Sequence, residues 1–264
     1  RELEFRSLLN RLQALYPIYH KATVGKTQQL TLFPNLEAEP AHLVNPTKLP
    51  SPDTGIAWEV INTTASLHTL AERLRSAEII SIDTETTSTD QMKASLVGIS
   101  VAISPDRGYY IPIGHHLDSN PQLSLPEVIA ALRPSLTDPQ RPKVGHNIKY
   151  DFVVLARHGL RITPIIFDTM IAEWLFNPTS HNLGLKNLAW VRLDLKMTTI
   201  DELIGSGKNQ RTMAEVPIVD AAAYAAVDAV ATLRLMPILQ ADLKPDLTKQ
   251  LYDEIEMPLI TVLA

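Results

Sequence analysis

Glu78-Ile79-Ile80-Ser81-Ile82-Asp83-Thr84-Glu85 is the stretch on which the architecture turns. Its three isoleucines form a short β-branched run that reads as a buried strand. Side chains two residues apart on a strand share a face, so Asp83 and Glu85 project together. An apolar approach of this kind places the pair at the carboxyl end of a central strand, where α/β sheets carry their sites. A carboxylate in an apolar setting is costly unless something positive meets it, and a divalent metal is the usual answer. Alone the triplet says little: roughly one Asp-x-Glu is expected by chance in a chain this long, and a solvated strand end would account for it.

Two further segments carry acids in equally awkward places. Asp151 falls in the second turn of a helix whose neighbouring positions are Ile148, Val154 and Leu155, which puts it on the packed side. An acid is also favoured near a positive helix N-terminus, so that segment by itself has a plain structural explanation. Tyr224 and Asp228 are four apart and share one face of a helix rich in alanine (221–223, 225, 226 and 229). Small residues let such a helix approach a sheet closely. Asp in a helix interior costs several tenths of a kcal/mol relative to Ala (~0.5) before any burial is counted.

Around these segments the chain divides in three. Residues 1–16 read as a short amphipathic helix, with Phe5, Leu8, Leu9, Leu12 and Leu15 at helical spacing. From Pro17 to Pro52 six prolines (17, 34, 40, 46, 50 and 52) dissolve the pattern into a linker. Gly25-Lys26-Thr27 lies there, but His20 stands where a phosphate loop requires its first glycine. The globular body begins near Ile56. A helix striped by Leu67, Leu70 and Leu74 precedes the strand 78–83, and strands at 94–103 and 109–113 form a hairpin across Ser104-Pro105-Asp106-Arg107-Gly108. A helix at about 124–136 leads to a strand at 143–145. Asn147 and Gly159 bracket the next helix as N-cap and C′ residue. Helices follow at about 167–176, 182–191 and 217–236, the last closed by Pro237. Strands first and helices after predict an α/β fold, a mixed sheet with helices packed on it. The start at Arg1 and the stop at Ala264 suggest a piece of a longer protein.

Composition narrows the chemistry. The 264 residues are 45% hydrophobic, enough for a large core, and no uncharged apolar run approaches the roughly 18 residues a membrane span needs. There is no cysteine, which excludes disulfides and thiolate zinc sites. The net charge of −5 argues against an extended duplex binder but not against a grip on a few nucleotides at a strand end. His115-His116 could suggest a metal pair, but adjacent residues on an extended segment diverge, so they read as loop structure.

Taken together, Asp83-Thr84-Glu85, Asn147 with Asp151, and Tyr224-x-x-x-Asp228 resemble the tyrosine-bearing branch of the DEDD exonuclease superfamily. Val144-Gly145-His146-Asn147-Ile148-Lys149-Tyr150-Asp151, Phe167-Asp168-Thr169-Met170 and Gly207-Lys208-Asn209-Gln210 are similar to the 3′–5′ proofreading domain of family A DNA polymerases, those of the bacterial polymerase I kind in particular. So are Tyr224-Ala225-Ala226-Val227-Asp228-Ala229 and Ile255-Glu256-Met257-Pro258-Leu259. The resemblance implies an RNase H-like fold, with residues 1–55 the tail of a 5′ nuclease domain plus linker. It makes 56–245 the exonuclease domain and 246–264 the start of a covalently linked polymerase domain. It also implies two divalent ions, Mg²⁺ or Mn²⁺. Asp83, Glu85 and Asp228 would hold the ion that activates water; Asp83 would bridge to the second, with Asp151 reaching it directly or through water. Tyr224, helped by Glu85, would orient the attacking water. The implied product is a nucleoside 5′-monophosphate from the 3′ end of single-stranded or frayed DNA.

Two positions leave the family pattern. Thr89 stands where relatives often place a large apolar residue, and Ile200 where they often place an aromatic, so neither stacks on a terminal base. Asn147, Lys208 and Arg211 are further candidates for strand contacts. The resemblance implies a bacterial cytoplasmic monomer, associated with the nucleoid through DNA. A ribonuclease D-like exoribonuclease and a catalytically weak structural domain are the competing readings.

Overall fold

The computed structural model describes residues 54–116, 120–207, 210–243 and 247–263. The amphipathic helix and linker expected over 1–52 lie outside these residues, as does Lys208. The described residues belong to one compact unit, Lys48–Ala264.

Its centre is a six-stranded mixed sheet in the order β1-β4-β3-β2-β5-β6. The strands are β1 (Ala57–Val60), β2 (Ile80–Thr86), β3 (Leu96–Ser104), β4 (Arg107–Pro112), β5 (Lys143–Gly145) and β6 (Ile165–Asp168). β2, β3 and β4 run antiparallel in hairpin succession, while β1 joins β4, and β5 joins both β2 and β6, in parallel. β2 is therefore central, as expected, and it runs three residues further than its isoleucines suggested. The four-residue edge strands β1 and β6 escaped the sequence reading. β1 alternates too briefly and is half exposed, and the start of the helix expected at 167 is the end of β6.

Strand alternation sorts the two faces. Ile80 and Ile82 of β2, Ile99 and Val101 of β3, and Tyr109 and Ile111 of β4 face α1 (Thr64–Ser76), α2 (Leu125–Leu136) and α3 (Ile148–Arg157), forming the larger core with Leu67, Leu132 and Leu155. On the opposite face Tyr110 of β4 fills the space over Gly98, and the neighbouring positions under the crossing helix are small. Gly98, Ser100, Ala102 and Gly108 lie there, and α7 (Ile218–Asp242) crosses it through Ala221, Ala222, Ala225, Ala226 and Ala229. A Cβ on Gly108 would stand 2.4 Å from the Ala226 carbonyl oxygen, so the helix backbone rests directly on the strand. α7 is long and apolar enough to cross a membrane by length and composition, yet most of its apolar window is buried within the fold, as a core helix requires.

α7 does not stop at Pro237 but continues to Asp242. Proline costs one backbone hydrogen bond and crowds the preceding turn. Burial of Leu239 and Leu243 beside Val144, Leu188 and Tyr252 offsets that cost. The remaining helices are α4 (Thr169–Phe176), α5 (Leu185–Leu193), the single turn α6 (Ile200–Ile204), α8 (Leu247–Leu251) and α9 (Met257–Val262), with a π-type turn at Tyr252–Glu256 joining the last two. Gly159 follows α3 at φ +76°, the left-handed conformation expected of a C′ residue. Tyr252 and Ile260 are buried in the same cores as the sheet.

Candidate active site

Asp83 and Glu85 share the α7 face of β2, opposite Ser100 and Gly98 of β3. Because α7 rests so close to the sheet, Asp228 reaches the same point. One ligand oxygen from each of Asp83, Glu85 and Asp228 lies within 4.8 Å of the others. Glu85, Asp151 and Asp228 are buried and Asp83 is half-buried. Tyr224, one turn before Asp228, lines the same cleft.

Asp151 enters from the other face. Its Oδ1 accepts from the Thr84 amide at 2.8 Å and the Thr84 hydroxyl at 2.6 Å, which ties α3 to the strand between the two acids. The acid is on the packed side of its helix, as its apolar neighbours predicted. Asn147, by contrast, is not a side-chain cap: it sits at φ 56°, ψ 40° in the left-handed region, makes no capping bond and is exposed in the cleft. The capping work is done from a distance by Asp168. One of its oxygens accepts from the Ile148 amide at 2.8 Å; the other accepts from Asn147 at 3.1 Å, Met170 at 2.8 Å and Ile171 at 3.2 Å. A single carboxylate thus closes the N-termini of both α3 and α4. The Asp168 amide in turn meets the Tyr252 hydroxyl at 2.7 Å. An Asp immediately before an apolar helical run was a legible N-cap signal for α4, but its second helix was not.

The carboxylates crowd one another. Burial, then the neighbouring Asp151 and Glu85, raise Asp83 well above the usual carboxylate range. Burial and then Asp228 push Glu85 up to about 8. Burial raises Asp151 to about 7 against the two Thr84 bonds, and burial raises Asp228 against the charge of Lys186. Burial also raises Tyr224, followed by the charges of Asp228, Glu85 and Asp83, so the phenol is neutral. A cluster of this kind calls for positive charge, and an all-oxygen donor set suits a hard divalent cation. The residues fit a metal.

Lys186 is the nearby cation that sequence reasoning missed. Its ammonium is paired with Asp228 and stands 3.8 Å from the centroid of the Tyr224 ring. A signal was available: Lys186 occupies the first turn of α5, where the helix dipole disfavours a cation.

Beyond the acids the cleft opens to about 760 Å³, lined by Thr89, Asn147, Tyr150, Ile200 and Arg211. Of the described residues proposed for the site, Asp83, Glu85, Thr89, Asn147, Ile200, Arg211 and Tyr224 line this cleft, Asp228 meets Asp83 and Glu85 beside it, and Asp151 touches Thr84 from the opposite side of the strand. Thr89 is exposed and Ile200 is 39% exposed, on a loop and a one-turn helix. Arg211 spends two donors on the Leu203 carbonyl, at 2.7 and 3.2 Å. His115 is buried loop structure, as read: Nε2 lies 2.8 Å from the Tyr110 hydroxyl and Nδ1 2.8 Å from the Val216 carbonyl oxygen.

A family model described as 3′–5′ exonuclease, from the family A DNA polymerases, matches residues 58–244. The chain is 44% identical over 238 residues to DNA polymerase I of Chloroflexus aurantiacus, covering 89% of the chain and 24% of that relative. It is 36% identical over 214 residues to DNA polymerase I of Pseudomonas aeruginosa, covering 79% and 23%. The chain therefore spans about a quarter of the length of these relatives. Among solved structures it resembles the polymerase-domain structure of Pol1 from M. smegmatis, with TM-score 0.60 and 20% identity over 78% of this chain and 31% of that one. It also resembles ribonuclease D of Escherichia coli, an exoribonuclease, with TM-score 0.58 and 18% identity over 79% and 50%. At such identities these two structures speak for the fold alone, which is that of the RNase H-like exonucleases.

Proposed function

This chain belongs to the 3′–5′ exonuclease family of the family A DNA polymerases, and from that premise we propose that it removes nucleotides from the 3′ end of single-stranded or frayed DNA as a proofreading domain. The observation that carries the reading is the convergence of Asp83, Glu85 and Asp228 beside a cleft of about 760 Å³ that Asp83 and Glu85 line.

Asp83, Glu85 and Asp228 would hold one divalent ion, and Asp83 with Asp151 a second, Mg²⁺ or Mn²⁺. When bound, such ions supply positive charge that acidifies water and offsets charge on the leaving oxygen. The chain's own groups do the orienting. Tyr224, neutral, offers a hydroxyl to an incoming water without adding a negative charge, and Glu85 accepts a hydrogen bond from the same water. The water oxygen forms the new bond to phosphorus, and the bond to the 3′ oxygen breaks. The water gives up a proton to solvent as it attacks, the 3′ oxygen takes one from solvent and leaves as the hydroxyl of the shortened strand, and the product is a nucleoside 5′-monophosphate. Asp151, locked to Thr84, holds the strand and helix in register while this happens. Thr89, Asn147, Ile200, Lys208 and Arg211 contact the substrate strand.

In the same proposal residues 1–55 are the end of a 5′ nuclease domain with its linker, 56–245 are the exonuclease domain, and 246 onward opens the polymerase domain. The protein works as a monomer in the bacterial cytoplasm, on nucleoid DNA.

The test is release of label from a 3′-labelled single strand by the purified chain with Mg²⁺ or Mn²⁺. Mononucleotides appear with DNA, and Asp83→Ala lowers the rate by roughly a thousandfold, on the order of 4 kcal/mol of transition-state stabilisation. An intact strand would favour the structural-domain reading. RNA degraded much faster than DNA would favour the ribonuclease D-like one.

A further inference from the structure

Lys186 is unexplained by the reaction just described. Its ammonium pairs with Asp228, an acid assigned to the metal, and lies against the face of Tyr224, the residue assigned to the water. Its position is imposed by the fold. α5 is anchored at its far end by Arg192, which binds Glu173 of α4 at 2.6 Å and Asp242 of α7 at 3.1 Å. Lys186 lies in the first turn of that helix, at the positive end of its dipole, where Asp228 and the Tyr224 ring face compensate it.

A lysine and a divalent ion cannot both take the same Asp228 oxygen at close range. Room exists for the lysine to withdraw: a second cavity of about 330 Å³, bounded by Trp58, Met197 and Thr198, is lined by Lys186 and Asp228 and shares only Tyr224 with the substrate cleft. Resting on the metal-site reading above, we propose that Lys186 is a resident counter-cation. It holds Asp228 and Tyr224 in place before metal arrives, competes with metal for Asp228, and retreats into the side cavity when metal binds. It is a positioning residue, and it tunes the site towards weaker, more readily exchanged metal.

The test measures Mn²⁺ binding to the whole 264-residue chain by the electron paramagnetic resonance of free Mn²⁺. Removing a positive charge a few ångströms from the site makes Lys186→Gln bind Mn²⁺ roughly tenfold tighter. Lys186→Arg, which keeps the charge, stays within about twofold of the parent. Metal-free Lys186→Gln melts below the parent, and saturating Mn²⁺ closes the gap. A purely structural role predicts the opposite sign, because a loosened site binds metal less well. Equal or weaker binding by a folded Lys186→Gln overturns the inference while leaving the nuclease reading intact. If Lys186→Gln does not fold, Lys186→Arg decides: a tenfold tightening there overturns the competition. A parent chain that binds no Mn²⁺ overturns both.

Discussion

At its inner end the cleft is walled by Asp83 and Glu85 of β2 and Tyr224 of α7, with Asp228 and Asp151 close behind, all held by the sheet, a close-packed helix and a shared cap. At its outer end stand Thr89 on an exposed loop and Ile200 on a single helical turn. The inner wall is fixed by contacts between distant segments, so its geometry depends on each of them. The outer wall has few such contacts, and its side chains can change without disturbing the fold. In the proposed reading chemistry and grip are therefore separable: Thr89 and Ile200 can vary without moving Asp83, Glu85 or Asp228.

The separation breaks most severely if the inner wall proves fragile. Asp168→Ala removes the carboxylate that caps α3 and α4 together, and two helix caps amount to about 2–4 kcal/mol of stability. Chemical denaturation should read that loss, with exonuclease rate falling as Asp151 shifts; unchanged stability would mean the double cap is incidental. Gly108→Ala drives a methyl against the Ala226 carbonyl and should cost about 1–3 kcal/mol. Its diagnostic is a falling kcat with KM for DNA nearly constant, since Tyr224 and Asp228 ride on the displaced helix.

pH probes the same wall. Glu85 is raised to about 8 and Asp151 to about 7 in the folded chain. A raised carboxyl contributes stability that is full below its unfolded pKa, near 4, and lost as pH climbs through the folded value. In chelator, the melting temperature should fall by several degrees between about pH 5 and pH 8, and Mn²⁺ should flatten the slope. A metal-free protein equally stable across that range would show the acids to be better compensated than their burial implies. The smallest effect belongs to the outer wall. Ile200→Phe supplies a surface on which a base can stack, worth about 1 kcal/mol, and should lower KM for a single strand roughly fivefold at constant kcat. A change in kcat instead would show that grip and chemistry are coupled.

Much of this was legible from local spacing. The Asp83–Glu85 pair, the packed position of Asp151 and the four-residue step from Tyr224 to Asp228 are periodicities of strand and helix, and they hold in the structure. The four-residue edge strands were illegible because they are too short for a period to emerge. Pro237 misled because a local rule yielded to burial of Leu239 and Leu243. Asn147 misled for a related reason: its backbone took the left-handed turn, and a carboxylate twenty-one residues away supplied the cap.

By itself, then, the sequence determined which side chains share a face, because that depends only on the repeat of one element. Whether three elements meet at one point was decided by tertiary packing: Gly108 and the alanines of α7 let that helix settle on the sheet and carry Asp228 to Asp83. The placement of Lys186 against Asp228 was likewise decided by how α5 is anchored. No local pattern encodes the distance between elements, since that distance is set by the volumes packed between them.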